Sequence, residues 1–387
     1  MTTTLIGGDL LTGLVRVRNI PARAATVTTG IESASLNMTV RLPAIDPTTG
    51  RVLDIAEQLV PGKSFIGFVQ DGEIVDAGPL WVDEFTFDTR QHLMQATGLE
   101  GYFDYRYVVP LLDPGQTHAD VTSEFTGVSL RTQAKRLVEL CQEWTPTLPL
   151  VFEDDEAGSS VRTYPGSDLM RVRDALRNLS GVIGGPEIRF RPRFKVTGGG
   201  IDRQYVEWEL VTGDPLLIQA GQPHVWDASV IGSRVKGAKL RRDATALATD
   251  AFVNGATILI EEEVEGEPLS TSELLAATAT DDTLLDAGFP RMQSAQTRYS
   301  VIEQSTLQSH ADGDVALGRF MLETWQFQAR KDSTPTLGTY RPGDMARLVI
   351  GPNGRIAPGS YPVRIVEIQA TLGPWVTITC APERVEP

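Results

Sequence analysis

The stretch from Gly338 onward constrains this chain most, because Gly and Pro cut it into segments too short for anything but strands. Gly338-Thr339-Tyr340-Arg341-Pro342-Gly343-Asp344 opens the series. Strands are predicted over Met345 to Ile350, Tyr361 to Gln369 and Trp375 to Cys380. Between them, Gly351-Pro352-Asn353-Gly354 and Ala357-Pro358-Gly359-Ser360 supply residues that tolerate positive φ or pre-set a turn, so the chain reverses there. The reading is the closing half of a small antiparallel β-barrel.

The N-terminal hundred residues give the same signal. Ala34, Leu36, Met38, Val40 and Leu42 alternate with polar residues, the period of a half-buried strand. Phe65 to Gln70 and Glu73 to Ala77 flank Asp71-Gly72, a two-residue hairpin turn. Strands near Trp81 to Phe87 and His92 to Leu99 complete a first barrel. The period then changes. Leu130, Ala134, Leu137, Val138, Cys141 and Trp144 recur at three- and four-residue spacings, which predicts a helix from Ser129 to Trp144, ended by Pro146. A second helix is expected over Leu169 to Leu179, with Asp168 as N-cap and Gly181 at its end.

Past that helix, cations occupy every second position of Glu187-Ile188-Arg189-Phe190-Arg191-Pro192-Arg193-Phe194-Lys195. On a strand they share one face. Folding back at Gly198-Gly199-Gly200 sets Arg191 opposite Glu207 and Arg189 opposite Glu209, with Phe190 beside Trp208 on the other face. Pro192 puts that strand at a sheet edge. Strands are expected again around Ala228 to Lys236 and Ala256 to Val264, and a helix near Asp314 to Ala329. The acidic residues Glu261, Glu262, Glu263, Glu265 and Glu267 lack the glycine and alternation of an EF-hand loop and read as a solvated strand edge.

The expected fold class is therefore β-rich α+β: two small antiparallel β-barrels, an α/β insert between them, and a second insertion within the C-terminal barrel. By residue, 1–100 forms the first barrel, 101–225 the α/β insert and 226–264 the first part of the second barrel. Residues 265–335 form an insertion with a helix, and 336–387 close the second barrel. A length of 387 residues suits several cores.

Chemistry is harder to find. The chain has no Gly-x-Ser-x-Gly, no His-Glu-x-x-His and no Cys-x-x-Cys. Gly8-Asp9-Leu10-Leu11-Thr12-Gly13 has the glycine spacing of a phosphate loop, but Leu14 stands where the lysine is needed. Cys141 and Cys380 lie far apart and among apolar neighbours, so no disulfide is expected. Against 35 Lys and Arg stand 50 Asp and Glu, a net charge of −15 that argues against gripping nucleic acid. The N-terminus lacks the basic and apolar regions of a signal peptide, which predicts synthesis in a cytoplasm. Neither an enzyme nor a cofactor or metal site is expected. Two other functions compete: a receptor- or carbohydrate-binding module using Trp226, Trp325 and Trp375, and a cell-wall hydrolase, which the missing catalytic signature disfavours.

Four segments carry a family likeness: Gly7 to Gly13; Asp174 to Leu179 with Gly184 to Phe190; Ala287-Gly288-Phe289-Pro290-Arg291-Met292; and Leu337 to Asp344. In order and spacing they resemble the tail-hub (baseplate-hub, minor tail) proteins of long-tailed bacteriophages infecting actinobacteria. The resemblance implies a virion protein at the tail tip: a homotrimeric ring whose six barrels adapt the hexameric tail tube to a three-fold tip. It also implies contact with distal tail or tail-tube proteins, other tail-tip proteins and tape-measure protein, with DNA only in transit and the host envelope touched indirectly. Three copies at −15 each would carry −45, a charge suited to a channel that must not hold DNA.

Overall fold

The alternating apolar positions of the first hundred residues do form strands. The protein, a computed structural model, is described over residues 2–182, 184–230, 232–264, 267–298 and 304–382, with the side chains of 259–271 excepted. In chain order it has β1 (Thr3–Asp9), β2 (Val15–Val17), β3 (Ala22–Gly30) and β4 (Ala34–Arg41). A flap of β5 (Ala44–Ile45) and β6 (Val52–Leu53) and a short helix α1 (Ile55–Gln58) follow, then β7 (Ser64–Gln70), β8 (Glu73–Thr86) and β9 (Gln91–Thr97). β4 buries Leu36, Met38 and Val40, as its alternation requires. Asp71 and Gly72 hold φ of 49° and 89°, positive at both central residues as a type I′ turn demands.

The middle of the chain supplies β10 (Thr122–Val128), α2 (Leu130–Gln142), β11 (Leu150–Val151), β12 (Ser160–Pro165), α3 (Val172–Ser180), β13 (Ile188–Thr197) and β14 (Gly200–Thr212). The Ser129 hydroxyl accepts from the Thr132 N–H and caps α2, which buries Ala134, Leu137, Val138 and Cys141. The second helix starts later than expected. Asp168 lies in a 3-10 turn and Leu169 is left-handed at φ 45°, so α3 begins only after Arg171.

The remaining elements are β15 (His224–Asp227), β16 (Val235–Asp243), β17 (Asp250–Val264), β18 (Glu267–Thr280), α4 (Thr283–Asp286), β19 (Gln293–Thr297) and α5 (Gln304–Gly318). They end with β20 (Leu322–Arg330), β21 (Met345–Ile350), β22 (Gly359–Thr371) and β23 (Trp375–Pro382). Two expectations change here. Residues 228–230 and 232–234 form bends and turns rather than strand, with β15 and β16 on either side. The helix predicted to Ala329 stops at Gly318, and Trp325, Phe327 and Ala329 are buried at period two on β20, paired with Cys380, Ile378 and Val376. The Glu261 to Glu267 side chains lie outside the described residues.

The chain divides into two units, Met1–Lys239 with Trp325–Pro387, and Leu240–Thr324. In the second, α5 buries Leu307, Ala311 and Val315 in one core with Ala251 and Val253 of β17 and Leu275, Ala277 and Ala279 of β18. Its sheet runs β18-β17-β19, with β19 parallel to β17.

Most strands belong to one sheet of order β16-β20-β23-β22-β3-β4-β9-β8-β7-β1-β2, with β21 pairing β22 and β15 pairing β21. The molecule is β-rich with few helices, but the sheets do not close into two separate barrels. The reason is a single joint: residues 367–371 of β22 pair antiparallel with Thr26–Gly30 of β3, so the C-terminal strands continue the N-terminal sheet. Each would otherwise leave an open edge.

The β13–β14 hairpin also departs from its expected register. Thr197 pairs with Gly200 and Lys195 with Asp202, after which Phe194 faces Val206, so Arg203, Gln204 and Tyr205 bulge from β14 without counterparts. The bulge is held from outside the hairpin: Arg18 donates to the Arg203 carbonyl, Leu14 bridges Tyr205, and the Val206 N–H donates to Gly13 O. Beyond it Arg191 faces Glu209, Arg193 faces Glu207, Phe190 faces Leu210 and Trp208 faces Pro192, two residues from the expected pairing. An even shift keeps every side chain on its face. β13 is an edge strand, where Pro192 forfeits no ladder bond.

Candidate functional site

Once the bulge has set the register, the hairpin's cations meet two different surroundings. Arg191 pairs with Glu209, and Arg193 reaches Glu207 Oε1 at 2.9 Å and Glu209 Oε1 at 3.0 Å. These groups keep solvent on one side. Arg189, facing Val211 rather than a carboxylate, has no acidic partner across the ladder. It is buried instead against the N-terminal sheet.

There the Arg189 guanidinium donates to Thr29 Oγ1 at 2.7 Å and lies 3.5 Å from Asp76, with side-chain exposures of 8% and 5%. The Thr29 hydroxyl in turn donates a hydrogen bond to Asp76 Oδ2 at 2.6 Å, and the Ala77 N–H donates to the other carboxylate oxygen. Three parts of the chain, β3, β8 and β13, thus meet in one buried network. Burial pushes the Asp76 carboxyl above its ordinary range, opposed by the Arg189 charge and the Thr29 hydrogen bond. The same burial lowers Arg189.

Glu100 stands beside this group and accepts from the Ala34 N–H at 2.8 Å. Burial, with the Asp76 charge adding to it, pushes Glu100 up to about 7. Arg341, from the turn before β21, is lowered to about 10 by burial and then by the neighbouring Arg191 and Arg189. A second link ties the C-terminal strands to the insert: Arg364 of β22 forks onto Glu187 and also donates to the Gly343 and Leu217 carbonyls.

Two carboxyls with raised pKa in one place invite a catalytic reading. The space beside them is small: the cavity lined by Asp76, Glu100, Arg173 and Arg189 holds about 30 Å3, about the room of a water. Elsewhere, burial pushes the Cys141 thiol up to about 12 and raises Cys380, so neither is a ready nucleophile. Among the described residues no group of three His, Cys, Asp or Glu could hold a metal, and no helix is long and apolar enough to cross a membrane. The network's chemistry is that of a clamp.

The apolar members have other partners than expected. Phe190 stacks on Phe103 at 4.8 Å, while Trp208 meets Phe65 edge-on at 5.5 Å and donates to the Ala77 carbonyl. Asp76, Thr29, Glu100 and Arg341 were missed by sequence reasoning, because nothing near Arg189 in the chain points to residues more than eighty positions away. As for sugar stacking, Trp226 and Trp325 are 2% and 4% exposed, and Lys236 covers the Trp375 ring at 3.8 Å. Trp226 and Trp325 thus offer no free ring face, and one face of Trp375 is taken.

No family model and no curated protein matches the chain. Solved structures do. A tail protein from Neisseria meningitidis MC58 superposes with a TM-score of 0.57 at 12% identity, over 99% of this chain and 97% of its own. The 43 kDa tail protein of prophage MuSo2 from Shewanella oneidensis gives 0.56 at 10% identity, over 97% and 98%. The protein shares the fold of phage tail proteins along nearly its whole length.

Proposed function

We propose that the protein is a structural, non-enzymatic component of a phage-type tail, placed at the tail tip as a hub. The observation that carries this is the end-to-end fold match with two tail proteins, since a shared domain would cover only part of each chain. The buried Arg189 clamp supports the same role, because it stiffens the joint between strands and insert rather than preparing a reaction.

In this reading three copies form a ring around the channel for tape-measure protein and DNA. The ring joins the hexameric tube to a three-fold tip, with distal tail or tube proteins on one side and tip proteins on the other. Two four-strand runs, β3-β4-β9-β8 and β16-β20-β23-β22, would take the six positions, two per copy, in place of closed barrels. Residues 1–100 and 226–243 with 322–382 are then the ring-forming parts, and 101–225 and 244–321 the insertions, so that β20 moves out of the insertion expected over 265–335 and β17 moves into it. The likeness to phages of actinobacteria rests on the four sequence segments alone. A cryo-electron microscopy reconstruction of intact tails should place three copies on the tail axis beneath the tube. Density for this chain in peripheral fibres would overturn the hub and favour receptor binding.

A further inference from the structure

The two four-strand runs are bounded by two open edges of opposite charge, the far half of β8 and the strand β16. β7 leaves β8 at Pro79, so from Val82 to Thr86 β8 pairs only with β9, and its other edge has no strand among the described residues. All five residues are exposed, including Val82 at 47% and Phe85 at 39%. Asp83 and Glu84 make this edge acidic; Asp83 touches His92 at 3.1 Å, and Glu84 has no ion pair among the described residues. At the other end of the two runs, β16 pairs only with β20 among the described residues. Its residues Lys236, Gly237, Ala238 and Lys239 are exposed, and Lys239 has no acidic partner among the described residues.

We infer that the β8 edge from Val82 to Thr86 pairs with the β16 edge from Val235 to Lys239 of a second copy of this chain. An exposed flat edge with apolar side chains recruits another strand. Like charges forbid β8 from pairing with β8 and β16 with β16, whereas the acidic edge and the basic edge attract. The lengths agree, five residues on each side. The same number of pairs forms the joint between β22 and β3 within one copy, which already links the C-terminal run to the N-terminal run. An antiparallel β8–β16 contact continues the alternation of strands along the sheet. Because the two edges are different surfaces, the contact is head-to-tail and generates either a closed ring or an open filament. The inference rests on the proposed hub only for closure at three copies.

Wild-type full chain at high concentration should sediment as a trimer. Carbodiimide treatment of a mixture of 14N- and 15N-labelled protein should join Asp83 or Glu84 to Lys236 or Lys239 between differently labelled copies. Asp83→Lys with Glu84→Lys, and separately Lys236→Glu with Lys239→Glu, should each weaken association at least about tenfold, and the four changes combined should restore it. Unchanged circular dichroism and melting would show that each variant folds. A trimer that survives both charge reversals leaves the ring standing and overturns the seam. Interchain β8–β16 cross-links in a dimer or an open polymer keep the seam and sink the three-copy ring. No interchain cross-link at any concentration overturns the seam.

Discussion

Arg189 and Arg193 stand on the same face of β13, four residues apart, and meet carboxylates under opposite conditions. Arg193 shares Glu207 and Glu209 at a side-chain exposure of 33%, where water screens the attraction and little free energy is at stake. Arg189 is sealed against Asp76 with Thr29 between them, where an unpaired charge has no water to turn to. An alternating run of arginines in a sequence thus carries no information on what each is worth. The element packed over the strand decides.

The sharpest way to break this contrast is Arg189→Met, which leaves Asp76 and Thr29 facing an apolar side chain. Urea denaturation at pH 7.5 should show a loss of about 3–5 kcal/mol. Adding Asp76→Leu should return stability to within about 2 kcal/mol of wild type, because no buried charge is then stranded. A double variant as unstable as the single one would show that the two charges are not coupled.

Glu100→Gln tests the network through its proton. A carboxyl at about 7 when folded and 4.5 when unfolded binds its proton more tightly in the native state, so its contribution is fully present below pH 4.5 and declines as pH rises through 7. The Gln variant should match wild type near pH 4 and exceed it by roughly 3 kcal/mol at pH 8.5. A constant difference across that range would rule out the titration.

The smallest effect is expected from the exposed ladder. Arg193→Ala should cost no more than about 1 kcal/mol, and less still in 1 M salt. If thermal melts show it as damaging as Arg189→Met, burial is not what separates the two sites.

Local signals in the sequence were reliable where the deciding contacts are local. The Asp71-Gly72 turn, the alternation of β4 and the Ser129-capped helix can all be read because turn chemistry, pleat and capping act within a few residues. The hairpin of β13 and β14 is the instructive failure. Its turn sets one register, and the bulge at Arg203 to Tyr205 replaces it with another through contacts to Gly13, Leu14 and Arg18. The sequence hides β20 because Val315, Met321, Leu322 and Trp325 have mixed spacing across the Gly318 stop, which obscures the period of Trp325, Phe327 and Ala329. Asp76 and Thr29, the core of the candidate site, carry no local mark of their partner at all.

The joint between β22 and β3 has a consequence for how the molecule is made. Gln369 and Thr28, hydrogen-bonded across it, are 341 positions apart. At roughly 5–20 residues per second, a ribosome needs about 20–70 s after finishing β3 to finish its partner. Throughout that interval the far side of β3 is an unsatisfied edge on a growing chain, and nascent copies on one message hold such edges close together. The sheet is therefore most vulnerable to pairing with the wrong neighbour during its own synthesis.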